Sequence, residues 1–326
     1  MRNEAQNIGR LLDDCVRQKY PRDFFRIIVI DDHSTDGSDA VVKAFSEKYP
    51  NIFLLSLPAG KCGKKAALHH ALPHLTEELA VTTDADCRLP AHWLSTIAAY
   101  YESCRPVMMI CPVVFSREQS FFGRLQALEM MSIVGSTAGA AAKNHPVMSS
   151  GANLAIRRDV MERHAYIYDE PPASGDDMMM MLEIKKKYPN RIKYLKSTDA
   201  TVETTPQPTL SSFIRQRSRW TSKSSKYTDK DTIIVALIVF FANFAIVACA
   251  ITGFFYPKYF LAAAVLWAIK FLADFPFLYS LTRFWNRKEL MRVFLPTQLL
   301  YPFYVVFVAF SGNILPVRWK GRKNAK

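Results

Sequence analysis

The chain has 326 residues, half of them hydrophobic and 13% aromatic, with 42 basic against 29 acidic side chains and a formal net charge of +13. At roughly 150 residues per domain this allows about two units. The composition is too apolar for a disordered chain, and it lacks the glycine or cysteine content of collagen-like or disulfide-scaffold proteins.

Up to about residue 230 short strand-like runs alternate with helical spacing, which predicts an α/β unit with a mostly parallel sheet covered by helices. The run from Arg26 to Ile30 is apolar and stops at carboxylates. Val41 to Tyr49 has helical spacing, Ile52 to Leu55 is strand-like, and Ala66 to Leu72 suits a short helix closed by Pro73. Leu79 to Thr83 reads as a buried strand running into Asp84-Ala85-Asp86. Pro90 is expected to open the next helix, since a first-turn position leaves no N–H unused. Pro106 to Phe115 is one long β-rich run.

Between Gln119 and Lys143 lies an apolar stretch rich in small residues, with Glu129 inside it. Its charge, glycines and hydroxyls predict a half-buried or interfacial helix pair rather than a membrane span. Three apolar segments follow: Ile233 to Phe255, Tyr259 to Leu281, and Val293 to Ile314. The second carries Lys270 and Asp274, four residues apart and able to neutralise each other. The third contains Pro296 and Pro302, which are expected to interrupt it. From Asp231 onward eleven basic residues stand against three acidic ones. Basic residues bracketing apolar runs are the pattern of bilayer flanks, so a lipid bilayer is the expected partner and nucleic acid is not.

This reading gives residues 1–230 as one domain, 231–315 as a multi-pass membrane region and 316–326 as a basic tail. Arg283, Arg287, Lys288 and Arg292 place the loop between the second and third segments in the cytoplasm, and the first domain with it. A full third span would put the basic tail outside, against the same rule. The six cysteines show neither C-x-x-C spacing nor a dense secreted pattern and suit a reducing compartment.

Four constellations carry chemistry. Asp31-Asp32-His33-Ser34 follows a strand, where open α/β sheets place ligands, and its carboxylates can accept from a base or a ribose; a capped turn would read the same. Asp84-Ala85-Asp86 can share a divalent cation, the hard oxygens suiting Mg²⁺ or Mn²⁺ on a diphosphate, though helix capping also produces D-x-D. Gly175-Asp176-Asp177 opens a helix, and one of its carboxylates could take a proton from a hydroxyl or simply cap. Gln216-Arg217-Ser218-Arg219-Trp220 precedes the first apolar segment, as a leaving-group and acceptor site or as a juxtamembrane basic stretch. No P-loop is present, and the scattered histidines lack zinc-ligand spacing.

Taken in order, these motifs resemble the family 2 glycosyltransferases of GT-A fold. The resemblance extends to Arg2-Asn3-Glu4, to Gly63-Lys64-Lys65 and to Gly151-Ala152-Asn153. It implies that Arg2, Glu4, Asp32, Lys64 and Asp84 bind the nucleotide-sugar and that Asp86 holds the metal. It implies that Asp177 is the base with Asp176 beside it, and that Gln216, Arg219 and Trp220 line the acceptor and diphosphate region. The implied activity is metal-dependent inverting transfer from a nucleotide-diphospho-sugar to a lipid-linked or membrane-associated hydroxyl. Processive polysaccharide synthases share Q-x-x-R-W but have more spans, and an inactive membrane scaffold of the same fold is a further alternative. In the family an apolar strand precedes the Arg-Asn-Glu loop, whereas this chain begins at that loop. The expectation is a truncated start that leaves neighbouring strand edges open.

Overall fold

A computed structural model describes residues 1–117, 120–169, 175–223 and 227–314, together with a backbone pair of short antiparallel strands, Arg318–Trp319 and Arg322–Lys323. The described chain divides into two units, Met1–Val114 with Thr137–Thr205, and Phe115–Ser136 with Pro206–Asn324.

The first unit begins with helix α1 (Ile8–Val16), whose Ile8, Leu11, Leu12 and Cys15 recur at helical spacing and are buried. Strand β1 (Ile27–Asp31), helix α2 (Ser38–Lys48) and strand β2 (Ile52–Ser56) form a βαβ unit, with β1 parallel to β2 in register Ile27 with Ile52. After α3 (Lys64–Ala71), Pro73 falls in a 3-10 turn, Leu72–His74, that ends the helix. Strand β3 (Leu79–Thr82) then leads to the D-x-D turn and to α4 (Trp93–Cys104). Pro90 does not open α4. The helix starts three residues later, and the Pro90 carbonyl instead accepts from the Trp93 N–H and from the Gln18 side chain.

The expected β run from Pro106 is two strands, β4 (Met108–Ile110) and β5 (Val113–Phe115), because Pro112 has no N–H to continue a ladder. Helix α5 (Phe121–Ala142) leads out of the second unit and back into the first, where β6 (Leu154–Arg157), α6 (Arg158–Arg163), α7 (Asp176–Lys187), β7 (Ile192–Tyr194) and β8 (Val202–Thr204) follow. A four-stranded sheet has the order β3-β6-β4-β7, and β5 pairs with β8. Three of the four strands run the same way, but the reversed strand β6 lies between β3 and β4 and makes the sheet mixed. Met108, Met109 and Ile110 are buried without alternation, as befits a strand covered on both faces. Asn153, fully buried, donates to the carbonyls of Pro112 and Ala200 and accepts from the Trp93 indole, tying α4 to the ends of β5 and β8.

In the second unit the stretch expected as a helix pair is one helix, α5, 22 residues long. Its Gly135 is required by packing, since a Cβ there would run into Leu281 and Phe277. Helix α8 (Leu210–Thr221) starts in a capping box between Thr209 and Ser212. It is followed by α9 (Lys230–Gly253), α10 (Lys258–Phe284) and α11 (Phe294–Ile314). The three apolar helical stretches Lys230–Gly253, Lys258–Phe284 and Lys288–Ser311 are long and apolar enough to cross a membrane by length and composition, with mean hydropathies of 2.8, 1.7 and 1.7. Of the four basic residues expected in the loop, Arg283 lies on the last turn of α10, and Arg287 is buried and donates to the carbonyls of Phe115 and Ser116.

Neither proline interrupts α11. Pro296 lies in its first turn, where its N–H would be unused. Pro302 leaves the Gln298 carbonyl without its helical donor, and the Trp267 indole of α10 supplies one at 3.0 Å. Lys270, Asp274 and the Gln298 side chain close a polar ring beside it. Trp267→Phe should therefore lower stability by about 1–3 kcal/mol, the cost of an orphaned buried carbonyl, read as a lower melting temperature of the full chain in detergent.

Candidate active site

The chemistry-bearing residues of the first unit stand at the ends of its strands and at the start of its helices. Asp31 ends β1, Asp32 follows it, and both are buried. Asp31 accepts from the Ser34 N–H, closing the turn in which His33 adopts a left-handed φ of 56°. The Arg2 guanidinium lies 3.8 Å from the Asp32 carboxylate and donates to its carbonyl at 3.0 Å. The other carboxylate oxygen of Asp32 accepts from the Gly63 N–H at 3.1 Å. The Glu4 N–H donates to Ser38 Oγ at 2.8 Å, and the Glu4 carboxylate accepts from Asn7. The loop Arg2-Asn3-Glu4 is thus tied across the turn that carries the acid pair.

Gly63 has a φ of 93°, a left-handed value that glycine tolerates, and starts α3 at Lys64. The Lys64 Nζ donates to Asp84 Oδ1 at 2.5 Å, and Asp176 and Asp177 also act on it through charge. Partial burial alone would push the Lys64 ammonium down; Asp84, Asp176 and Asp177 outweigh that and hold it above its ordinary value. The next residue, Lys65, is buried and donates to the Ile167 carbonyl at 2.7 Å, fixing the 3-10 turn Ala165–Tyr168.

Asp177 accepts from the Gly151 N–H at 2.9 Å and from the Met178 N–H at 2.8 Å. Thr82, at the end of β3, donates to the Gly151 carbonyl at 2.9 Å. At Gly151 a Cβ would lie 2.9 Å from Lys64 Nζ, so a side chain there would displace the ammonium. Its neighbour Asp176 is buried, and burial pushes that carboxyl above the usual range, with Asp177 adding to the rise and Lys64 opposing it.

Asp84 is half-buried and Asp86 exposed. After them and before α4, Cys87 is buried, and burial together with the charges of Asp84 and Asp86 pushes its thiol up to about 12. Two carboxylates on one turn are a hard donor set, which fits a divalent cation that keeps waters and phosphate oxygens in its shell. Among the described residues no three His, Cys, Asp or Glu side chains converge to hold a metal by themselves.

The turn has anchors that sequence reasoning missed. Asp14 and Gln18, four apart on and just after α1, are buried. Asp14 accepts from Arg88 at 2.6 and 2.8 Å and from the Leu89 N–H, and Gln18 accepts from the Leu94 N–H. Their signal is a pair of polar residues at i and i+4 in line with the apolar stripe Leu11 and Cys15.

Gln216, Arg219 and Trp220 lie on α8, in the second unit. Gln216 and Arg219 are half-buried and Trp220 is exposed. The structure therefore ties Arg2 to Asp32, Asp32 through the Gly63 N–H to the start of α3, and Lys64 to Asp84, with Asp176 and Asp177 acting on Lys64 through charge. It places Asp86 on the same turn as Asp84 and sets the Q-x-x-R-W residues on an element of the second unit.

The chain belongs to glycosyl transferase family 2, whose family model matches residues 1–165, half of its length. The beta-monoglucosyldiacylglycerol synthase of Synechocystis sp. is 26% identical over 131 residues, or 40% of this chain and 27% of that protein. The dolichyl-phosphate beta-glucosyltransferase of Trichomonas vaginalis is 33% identical over 90 residues, or 26% of this chain and 28% of that protein. The matched region thus spans little more than a quarter of either relative. Among solved structures, the mannosyltransferase PcManGT from Pyrobaculum calidifontis, in complex with GDP-Man and Mn²⁺, superposes with a TM-score of 0.55 at 19% identity, covering 95% of this chain and 85% of that one. That likeness is one of fold, and the fold is GT-A.

Asp176→Asn should stabilise the protein increasingly as pH rises from about 4. Below the unfolded carboxyl's pKa both states are neutral; above it the unfolded chain ionises freely while the folded one resists, so the wild type loses stability until its raised folded value is passed. Melting curves of both proteins across pH 4 to 8 check this, the expected result being a gap that widens with pH.

Proposed function

We propose that this protein is a membrane-bound inverting glycosyltransferase, moving a sugar from a nucleotide-diphospho-sugar to a hydroxyl of a lipid-linked or membrane-associated acceptor. The observation that carries the reading is the gathering of Asp84, Asp176 and Asp177 around Lys64 in a family 2 chain. Asp32 and Arg2 receive the nucleoside, with Glu4 holding their loop. Lys64 and Asp84 meet the diphosphate-sugar. Asp177 takes the acceptor proton as the acceptor oxygen bonds to the anomeric carbon, and the bond from that carbon to the diphosphate breaks on the opposite side. Lys64 and Arg219 offset the negative charge of the departing nucleoside diphosphate, and Gln216 and Trp220 hold the acceptor. Asp86, with Asp84 beside it, would hold Mg²⁺ or Mn²⁺, which when bound supplies positive charge against the diphosphate.

Two facts support a lipid acceptor: the three helical stretches long and apolar enough to span a bilayer, and relatives whose names specify diacylglycerol and dolichyl phosphate. Positive charge between α10 and α11 supports a cytoplasmic catalytic unit. The full chain in detergent, given UDP-glucose or GDP-mannose with vesicles containing diacylglycerol, should glycosylate the hydroxyl of that lipid. Asp177→Asn should lower that rate about 10²- to 10⁴-fold, as loss of a general base does. Transfer at the wild-type rate in Asp177→Asn would remove the base assignment. EDTA should abolish transfer and added Mn²⁺ or Mg²⁺ should restore it; turnover undiminished by EDTA would contradict metal dependence.

A further inference from the structure

We propose that Glu129 and Arg217 are positioning residues that fix which end of Gln216 and which face of Trp220 meet the acceptor. The proposal rests on the reading of Gln216 and Trp220 as acceptor-site residues. Glu129 is the one acid inside the apolar helix α5, and Arg217 is an unspecified position within Q-x-x-R-W. Both side chains are buried, at 7% and 4% exposure.

The Arg217 guanidinium spends its donors in two directions. Nε donates to both oxygens of Glu129 at 3.1 and 3.2 Å, and Nη2 donates to Oε2 at 2.5 Å. The Tyr304 hydroxyl completes the carboxylate's shell at 2.7 Å. Nη1, turned the other way, donates to Gln216 Oε1 at 2.5 Å. Arginine only donates, so the amide oxygen of Gln216 must be the end that faces it. The NH₂ end is then what Gln216 presents, a hydrogen-bond donor suited to a sugar hydroxyl or a diphosphate oxygen. The Cζ of the same guanidinium lies over the Trp220 ring, 4.3 Å from its centroid, and over the Phe213 ring, 4.6 Å from its centroid. One indole face is therefore held against a planar cation, while 36% of Trp220 stays exposed. A lysine in place of Arg217 could keep the charge pair with Glu129, but it has neither the rigid fork to reach Gln216 at the same time nor a plane to stack.

The test is a double-mutant cycle in the full chain with the lipid vesicles above. Arg217→Lys should lower kcat/KM for the lipid about tenfold when Gln216 is present, within the range for directly contacting residues, and by less than about twofold in a Gln216→Ala background. The donor's KM and the melting temperature should stay near their Gln216 or Gln216→Ala parent values. Independent, additive losses would overturn the proposal, as would a loss that falls equally on the donor's KM. If Gln216→Ala alone leaves lipid transfer intact, the acceptor-site reading has failed and the proposal with it. A second measurement needs no turnover. Acrylamide quenching of each protein, less that of its Trp220→Phe counterpart, isolates Trp220. Quenching should rise in Glu129→Gln and in Arg217→Lys, and unchanged quenching in both would overturn the proposal.

Discussion

Carboxylates repel one another, and the first unit gathers several of them within the field of the Lys64 ammonium, which offsets the repulsion. Asp84 follows β3, Asp176 and Asp177 open α7, and Lys64 opens α3 between them. Without that cation, desolvation and mutual repulsion would favour protonated or splayed acids. The surrounding backbone is shaped to deliver it. Gly63 turns through a left-handed φ while donating to Asp32, and Gly151 gives up a side chain so that the Lys64 ammonium can pass. Lys65, one residue on, is buried against the turn that precedes the acidic pair, so adjacent lysines serve charge and framework separately.

The second unit meets the same demand in apolar surroundings. Several polar groups that an apolar setting would penalise have a specific partner: the Gln298 carbonyl has the Trp267 indole, Lys270 has Asp274 and Gln298, and Arg217 has Glu129. Stability alone does not account for the last of these. Breaking a buried ion pair costs about 3–5 kcal/mol, yet replacing both partners with well-packed apolar residues is often neutral or favourable. What an apolar pair could not do is hold the oxygen of Gln216.

Much of this was legible in the sequence where local chemistry decides it. Strands ending in acids were legible because an apolar run followed by carboxylates has few other uses, and β1 and β3 fall within a residue of their expected ends. The three apolar helices were legible from length and composition. The failures share a physical cause, namely partners distant in sequence. Pro90 resembles a helix start, but its carbonyl is engaged by Gln18, and the helix begins later. The small residues of α5 suggest a break, yet Gly135 is there to admit Leu281 and Phe277. Pro302 suggests an interruption until the indole of another helix takes up the freed carbonyl. At the candidate site the acids were visible singly, whereas Asp14 and Gln18 acquire meaning only once the chain has folded around them.

Adjacent residues can be driven to different roles by burial alone, and Asp176 and Asp177 illustrate how. Both are acids at the start of one helix, within the field of the same lysine, so neither sequence nor charge separates them. Asp176 is buried, which raises its pKa and keeps its carboxyl out of reach of anything arriving from solvent. Asp177 is only partly covered and is held by backbone N–H groups of Gly151 and its own helix, which fix its orientation without closing it off. A group that must reach an incoming hydroxyl has to be both oriented and accessible. Of the two acids only Asp177 meets both conditions, and this is the physical support for reading it as the base and Asp176 as part of its framework.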